Sequence, residues 1–111
     1  MPTSFSRKTS RDVGTSNVAV GSYTVGAGVQ TTVIGLSLAN KTGNQILANV
    51  TLGDNTASNT FLVCSAPVPS GGTLVIGGGD QKIVLTAGDQ IFVQSNAATS
   101  MDVVMSIMEV S

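Results

Sequence analysis

Cys64, the aspartates Asp54, Asp80, Asp89 and Asp102, and the run Gly77-Gly78-Gly79-Asp80 are the residues whose types and spacing could do chemistry, and no histidine exists to serve them. The commonest general base and the commonest neutral metal ligand are therefore both missing. Cys64 lies between Val63 and Ser65 in an alternating run, with no imidazole to lower its pKa, and reads as a buried, inert thiol acting as a small hydrophobe. The four aspartates could be tried as a calcium site or as a carboxylate pair for glycoside chemistry. Three of them sit beside glycines, where an Asp side chain bonds its own backbone two residues on, and the alternating acids of a calcium loop are absent. The glycine run follows a strand, but neither a helical pattern nor Lys-Ser/Thr comes after it, so it reads as a β-turn rather than a phosphate cradle. Asn40-Lys41-Thr42 and Asn49-Val50-Thr51 match the glycan acceptor pattern. No apolar core follows the opening Met1-Pro2-Thr3-Ser4-Phe5-Ser6-Arg7-Lys8. Export is therefore not expected, and the acceptor matches read as coincidence. Neither a nucleophile and base nor a metal-ligand set can be composed, so a non-enzymatic protein with no cofactor, no metal and no small-molecule substrate is expected.

The other chemistry-bearing residues are Arg7, Lys8 and Arg11, which make the first eleven residues basic. Lys41 and Lys82 against six carboxylates leave the remainder acidic, within a net charge of -1. Three cations neutralise only a few phosphates and the acidic body repels them, which excludes sequence-specific nucleic-acid binding from the expectation. Residues 1–16 are rich in Ser, Thr and Arg, with no apolar period, and carry Phe5 as their one ring. This composition predicts an extended basic arm that is mobile when free and ordered only when tied to another copy or another protein. One hydrophobic anchor, Phe5, with charge-assisted bonds from Arg7, Lys8 and Arg11, suits addition of a strand to an exposed sheet edge. No stretch reaches the roughly 18 apolar residues of a membrane span.

The rest of the chain, residues 17–111, must position whatever binds. Hydrophobic residues make up 41% and charged residues 10%, against about 25% charged in an ordinary soluble domain. Eight short β-type runs recur at roughly ten-residue spacing: 18–25, 30–39, 45–52, 60–66, 73–76, 82–85, 90–95 and 101–110. Turn-forming Gly, Asn, Asp and Pro lie between them, and no window has the spacing of a substantial helix. The expectation is an all-β antiparallel sandwich, jelly-roll-like or Greek-key, of about eight strands. Period two places Ile34, Leu36, Leu38, Ile46, Val50, Leu74, Ile83, Leu85, Ile91, Val93, Val103 and Met105 in its core. The last run is half apolar on its second face as well, so Val104, Met108 and Val110 are candidates for a copy-to-copy interface. Scarce charge favours association, and a homo-oligomer with a trimer foremost is expected. One cysteine leaves no intrachain disulfide to form.

Several stretches resemble small virion proteins of tailed phages, and in particular short proteins that recur in phages of cyanobacteria. They are Ser4-Phe5-Ser6-Arg7-Lys8-Thr9-Ser10-Arg11, Gly21-Ser22-Tyr23-Thr24-Val25, Ala66-Pro67-Val68-Pro69-Ser70-Gly71-Gly72-Thr73-Leu74-Val75, Gly79-Asp80-Gln81-Lys82-Ile83-Val84-Leu85, Ala87-Gly88-Asp89-Gln90-Ile91, and the ending Asp102-Val103-Val104-Met105-Ser106-Ile107-Met108-Glu109. The resemblance implies a structural virion component made in the host cytoplasm, without enzymatic activity or cofactor. It is compatible with head decoration (cement), with the neck, or with a small tail part, in contact with a major capsid or neck/tail protein. The competing expectation is a carbohydrate- or receptor-binding sandwich of a phage fibre, which an exposed aromatic cluster would favour.

Overall fold

A computed structural model describes residues 3–53, 59–76 and 83–110. Its strands are β1 (Thr3–Val13), β2 (Val18–Ala19), β3 (Gln30–Asn40), β4 (Ile46–Gly53), β5 (Asn59–Val68), β6 (Thr73–Ile76), β7 (Ile83–Leu85), β8 (Gln90–Ser95) and β9 (Met101–Val110). A single 3-10 turn, Val20–Ser22, follows β2, and no α-helix occurs among the described residues. One sheet has the order β1-β9-β3-β6, with β7 pairing another stretch of β3, and the second has the order β2-β8-β4-β5. Every pairing is antiparallel. Two four-position antiparallel sheets between which the chain repeatedly crosses make a jelly roll, the expected sandwich.

The core lies between the sheets, where period two directs one face of each strand. Leu36, Leu38, Ile46, Val50, Leu85, Ile91, Val93, Val103 and Met105 are buried as expected, joined by Val13, Val20, Val33, Val68, Met101 and Ile107. Leu74 and Ile83 pack against this cluster but stay half-buried. Ile34 is a correction. A register shift between Val33 and Gly35 opposite β9 inserts one extra residue, so Val33 and Leu36 point inward and Ile34 is left half-buried. Such a bulge cannot be seen in an alternating pattern that continues through it.

Cys64 is a second correction: it is exposed. Two register shifts separate β4 from β5, between Ala48 and Val50 and between Val50 and Thr51. Ser65 takes a positive φ of 51°, and its N–H donates to Asn49 Oδ1 at 2.7 Å. These irregularities turn the middle of β5 off the core, leaving Val63 half-buried and Cys64 and Ser65 in solvent.

The N-terminal segment is extended, as expected, and is seated on the sandwich's own sheet. The segment expected as an arm outside the sandwich runs as β1 beside β9, from Thr3 opposite Val110 to Ser10 opposite Val103. Composition points away from a strand because Ser, Thr, Arg and Lys supply no apolar face. An edge strand, however, needs only its backbone to extend a ladder.

Candidate partner-binding surface

Pairing β1 with β9 brings together two residue sets that the sequence analysis kept apart. Phe5 lies opposite Met108, Thr9 opposite Val104, Thr3 opposite Val110 and Arg7 opposite Ser106. On β9 the neighbours Met105 and Ile107 are buried while Val104 is exposed, so these pairs stand on the outer face of the five-stranded sheet. The rows continue through β3: Met108 faces Thr32 and Val104 faces Ser37. Thr32 in turn faces Val84, and Ser37 faces Val75. Phe5 (71% exposed), Val75 (70%), Val84 (53%) and Val104 (41%) are four of the six exposed large hydrophobics among the described residues, and all four stand on this one face. Between the rows lie small neutral residues and Arg7, and the nearest carboxylate in β9 on this face is Asp102, opposite Ala39 at the end of the sheet. An outer face of this kind can exclude water against another surface without desolvating a carboxylate.

The inner side of β1 is different in kind. Ser4, Ser6, Lys8 and Ser10 alternate with the outer residues, and the first residue of the segment to join the core is Val13. Lys8 turns onto the protein itself, its Nζ 5.1 Å from the centroid of the Tyr23 ring. The Tyr23 hydroxyl donates to Glu109 Oε2 at 2.9 Å and shares a 2.7 Å hydrogen bond with Thr31 Oγ1. Burial, reinforced by the Glu109 carboxylate, holds the Tyr23 phenol above its ordinary pKa. Arg11 is exposed at a break in register between Ser10 and Val13.

At that break three charged residues form a clasp. Lys41 Nζ contacts Asp12 Oδ1 and lies 3.1 Å from Asp102 Oδ1. The Asp12 N–H donates to the same Asp102 oxygen at 3.0 Å. The Asp12 bond, ahead of the Asp102 bond, raises the Lys41 pKa, so the amine stays an ammonium and pairs rather than attacks. Asp102 is held below the usual carboxylate range first by the Asp12 N–H, with burial opposing, and then by Lys41. A carboxylate with a depressed folded-state pKa contributes stability that is present above the unfolded value and is lost as pH falls through the folded one. The Lys41 contribution has the opposite sign and disappears only at alkaline pH. Residues 3–12 should therefore be well ordered by backbone NMR relaxation at neutral pH and more mobile in acid well below the ordinary carboxylate range, at about pH 2, and Asp102→Asn should be mobile at both. Equal mobility of the wild-type segment at the two pH values would show that the clasp does not hold the strand.

The remaining candidates fall elsewhere. Asp89 caps its own turn, accepting from Thr86 N at 2.8 Å and Thr86 Oγ1 at 3.2 Å. Asp54, the glycine run with Asp80, and Lys82 lie outside the described residues. Asn40 is buried, and its amide nitrogen donates to the carbonyls of Asn44 and Val68, so the folded protein cannot present it to a glycan-transferring enzyme. The exposed rings Phe5 and Phe61 stand on different sheets, and Tyr23 and Phe92 are half-buried. The four rings therefore form no common platform. Sequence reasoning missed that the arm residues and the β9 residues form one surface. The signal was the matching count of outward positions in two polar or half-polar strands, which becomes meaningful only once their pairing is known.

No family model matches the chain, and no curated protein matches it in sequence. Solved structures do match it in shape. A protein of Bacillus endospore appendages, described as forming a novel family of disulfide-linked pili, aligns at a TM-score of 0.53 and 10% identity over 98% of this chain and 88% of that one. The globular domain of zebrafish complement 1qA aligns at 0.47 and 13% identity over 96% of this chain and 95% of that one. A chain of the cyanophage Pam1 capsid aligns at 0.40 and 15% identity over 96% of this chain and 83% of that one. At such identities the first of these shows a shared fold and nothing about activity.

Proposed function

We propose that this chain is a non-enzymatic structural protein of a tailed-phage virion, serving as a decoration (cement) protein of the head or as a neck or tail component. In this reading it self-associates through the outer face of the β1-β9-β3-β6 sheet. The observation that carries the reading is the set of Phe5, Val104, Val75 and Val84 on a single face, with Met108 and Val110 beside them, small neutral residues and Arg7 between, and its β9 carboxylate, Asp102, confined to the end of the sheet. Scattered exposed hydrophobics are ordinary, whereas their concentration on one sheet face marks a contact surface. With a net charge of only -1, copies of the chain repel one another weakly, so a closed ring of copies is electrostatically permitted. The phage-like segments of the sequence supply the setting. A homo-oligomer is expected, with three copies as the favoured number, and its further neighbour is a major capsid or neck/tail protein.

Light scattering of the purified chain at micromolar concentration tests self-association, and Val104→Lys tests the face. The wild type should run as an oligomer. The variant should dissociate by at least one order of magnitude in Kd, because a charge in a desolvated interface costs more than the 1.4 kcal/mol that tenfold represents. An 11.2 kDa monomer for the wild type, or an oligomer indifferent to Val104→Lys, would overturn this assignment of the face. Peptides of the chain recovered from gradient-purified particles would support the virion setting, and particles devoid of it would overturn that part alone.

A further inference from the structure

We infer that the β9 edge is a strand-addition site for residues 3–10 of a second copy of this chain, so that β1 is exchanged between neighbours in the assembly. The inference deepens the self-association proposed above and rests on it for the setting.

Three observations point to exchange. First, residues 3–10 are held to β9 mainly by backbone pairing, because their inward side chains are Ser4, Ser6, Lys8 and Ser10 and none of them belongs to the core. A backbone ladder is indifferent to which copy supplies the strand. The side-chain bonds that do hold the strand are Lys8 over Tyr23 and the 2.9 Å bond from the Gly21 N–H to Ser10 Oγ. A second copy reproduces both. Second, the chain has one place at which this strand can be redirected. Asp12 takes a φ of 57°, in the left-handed region that non-glycine residues seldom occupy, at the register break between Ser10 and Val13. Immediately beyond, the chain is fastened: Val13 is buried, its carbonyl accepts from Ser100 N at 3.0 Å, and the Gly14 carbonyl accepts from Ser95 N at 2.9 Å. The hinge is thus confined to Arg11 and Asp12, and a short hinge under strain is the condition that invites exchange. Third, the hinge is not packed in. A cleft of about 650 Å³ runs along residues 9–16 against Val18, Ala19, Ala98 and Thr99.

Return of Asp12 to an extended conformation would swing residues 3–10 off their own β9 as a strand of roughly 26 Å. This opens an unpaired β9 edge that a neighbour's strand can cover, and the occupant is that same strand from a second copy because its register is already written in the eight pairs from Thr3↔Val110 to Ser10↔Val103. Lys41 bridging Asp12 and Asp102 is then the latch on the hinge. Salt, which screens exposed pairs, and Lys41→Ala should each speed exchange.

The experiment uses full-length cysteine variants in a Cys64→Ser background, since Cys64 is exposed. Arg7 and Ser106 are register partners, whereas Ser37 stands on the same outer face but pairs with Val104 rather than with β1. Arg7→Cys is mixed with Ser106→Cys, and separately with Ser37→Cys, under mild oxidation. A disulfide-linked heterodimer in the first mixture and not in the second is the expected result, formed faster when both copies also carry Lys41→Ala. The double variant Arg7→Cys/Ser106→Cys in one chain calibrates the geometry. Its closure within the chain, with no heterodimer from the first mixture, overturns exchange. Equal heterodimer in both mixtures also overturns it and leaves face-to-face packing, hence self-association, intact.

Discussion

Replacement of Asn40 by alanine is expected to lower the unfolding free energy by about 3 kcal/mol, the cost of orphaning two or more buried polar groups. Asn40 ends β3 on the core face and is 2% exposed. Its Nδ2 donates to the Asn44 carbonyl at 2.8 Å and to the Val68 carbonyl at 3.0 Å, with the Pro69 carbonyl at 3.2 Å sharing a hydrogen. Its Oδ1 accepts from Thr42 N at 2.9 Å and Thr42 Oγ1 at 2.8 Å. A single side chain thus ties the end of β3, the loop into β4 and the turn from β5 to β6. Alanine removes both N–H donors and the acceptor oxygen, and Val68, itself buried, keeps a carbonyl that water reaches poorly. Asn40→Asp should be at least as damaging, because it replaces two donors by a buried charge. Urea unfolding is the measurement, with a lower midpoint at unchanged slope as the expected result. A loss under about 0.5 kcal/mol, the range of ordinary surface substitutions, would mean that these bonds do not organise the loop.

Strands whose inner face is apolar were legible in the sequence, because burial and period two state the same thing twice. Leu36 and Leu38 in β3, Ile46 and Val50 in β4, Ile91 and Val93 in β8, and Val103 and Met105 in β9 are buried where alternation puts them. What alternation cannot encode is a residue inserted by a bulge or the seat of a strand at an edge, and the features it left unread all depend on one or the other. Ile34 sits at a bulge, Cys64 lies within a doubly shifted strand, and β1 is an edge strand without an apolar face. The stretch after Ala19 departs from its expected strand for a related reason: Gly21 and Ser22 take φ of 60° and 53° and turn the chain out of the sheet. The candidate surface was half legible. Val104, Met108 and Val110 stand on the outer face of β9 as their alternation indicates, and Phe5 and Arg7 stand beside them. Their adjacency is set by the pairing of residues about a hundred apart in sequence, which no local pattern contains.

That pairing depends on a glycine. Gly21 has a φ of +60°, and a Cβ built on it would lie 2.9 Å from Lys8 Cβ and 3.3 Å from Thr9 N. The obstacle in β1 is the base of a side chain and the backbone, neither of which can swing away as a flexible side-chain end does. Gly21→Ala therefore combines about 1–2 kcal/mol for an L-residue in the left-handed region with a steric push on the middle of β1. It also disturbs the Gly21 N–H that holds Ser10 Oγ. The expected result is a total loss of about 2–3 kcal/mol, localised in a way that a core substitution is not. Amides of β1 and their partners in β9 should lose hydrogen-exchange protection while β4 and β8 in the opposite sheet keep theirs. Because Gly21 meets Lys8 and Thr9 whichever copy supplies the strand, the variant should also weaken the oligomer, and raising protein concentration should not restore β1 protection to the wild-type level. Full protection of β1 in Gly21→Ala would show that the strand is not seated on the 3-10 turn, and uniform loss across both sheets would show that β1 is integral to the core rather than an edge laid upon it.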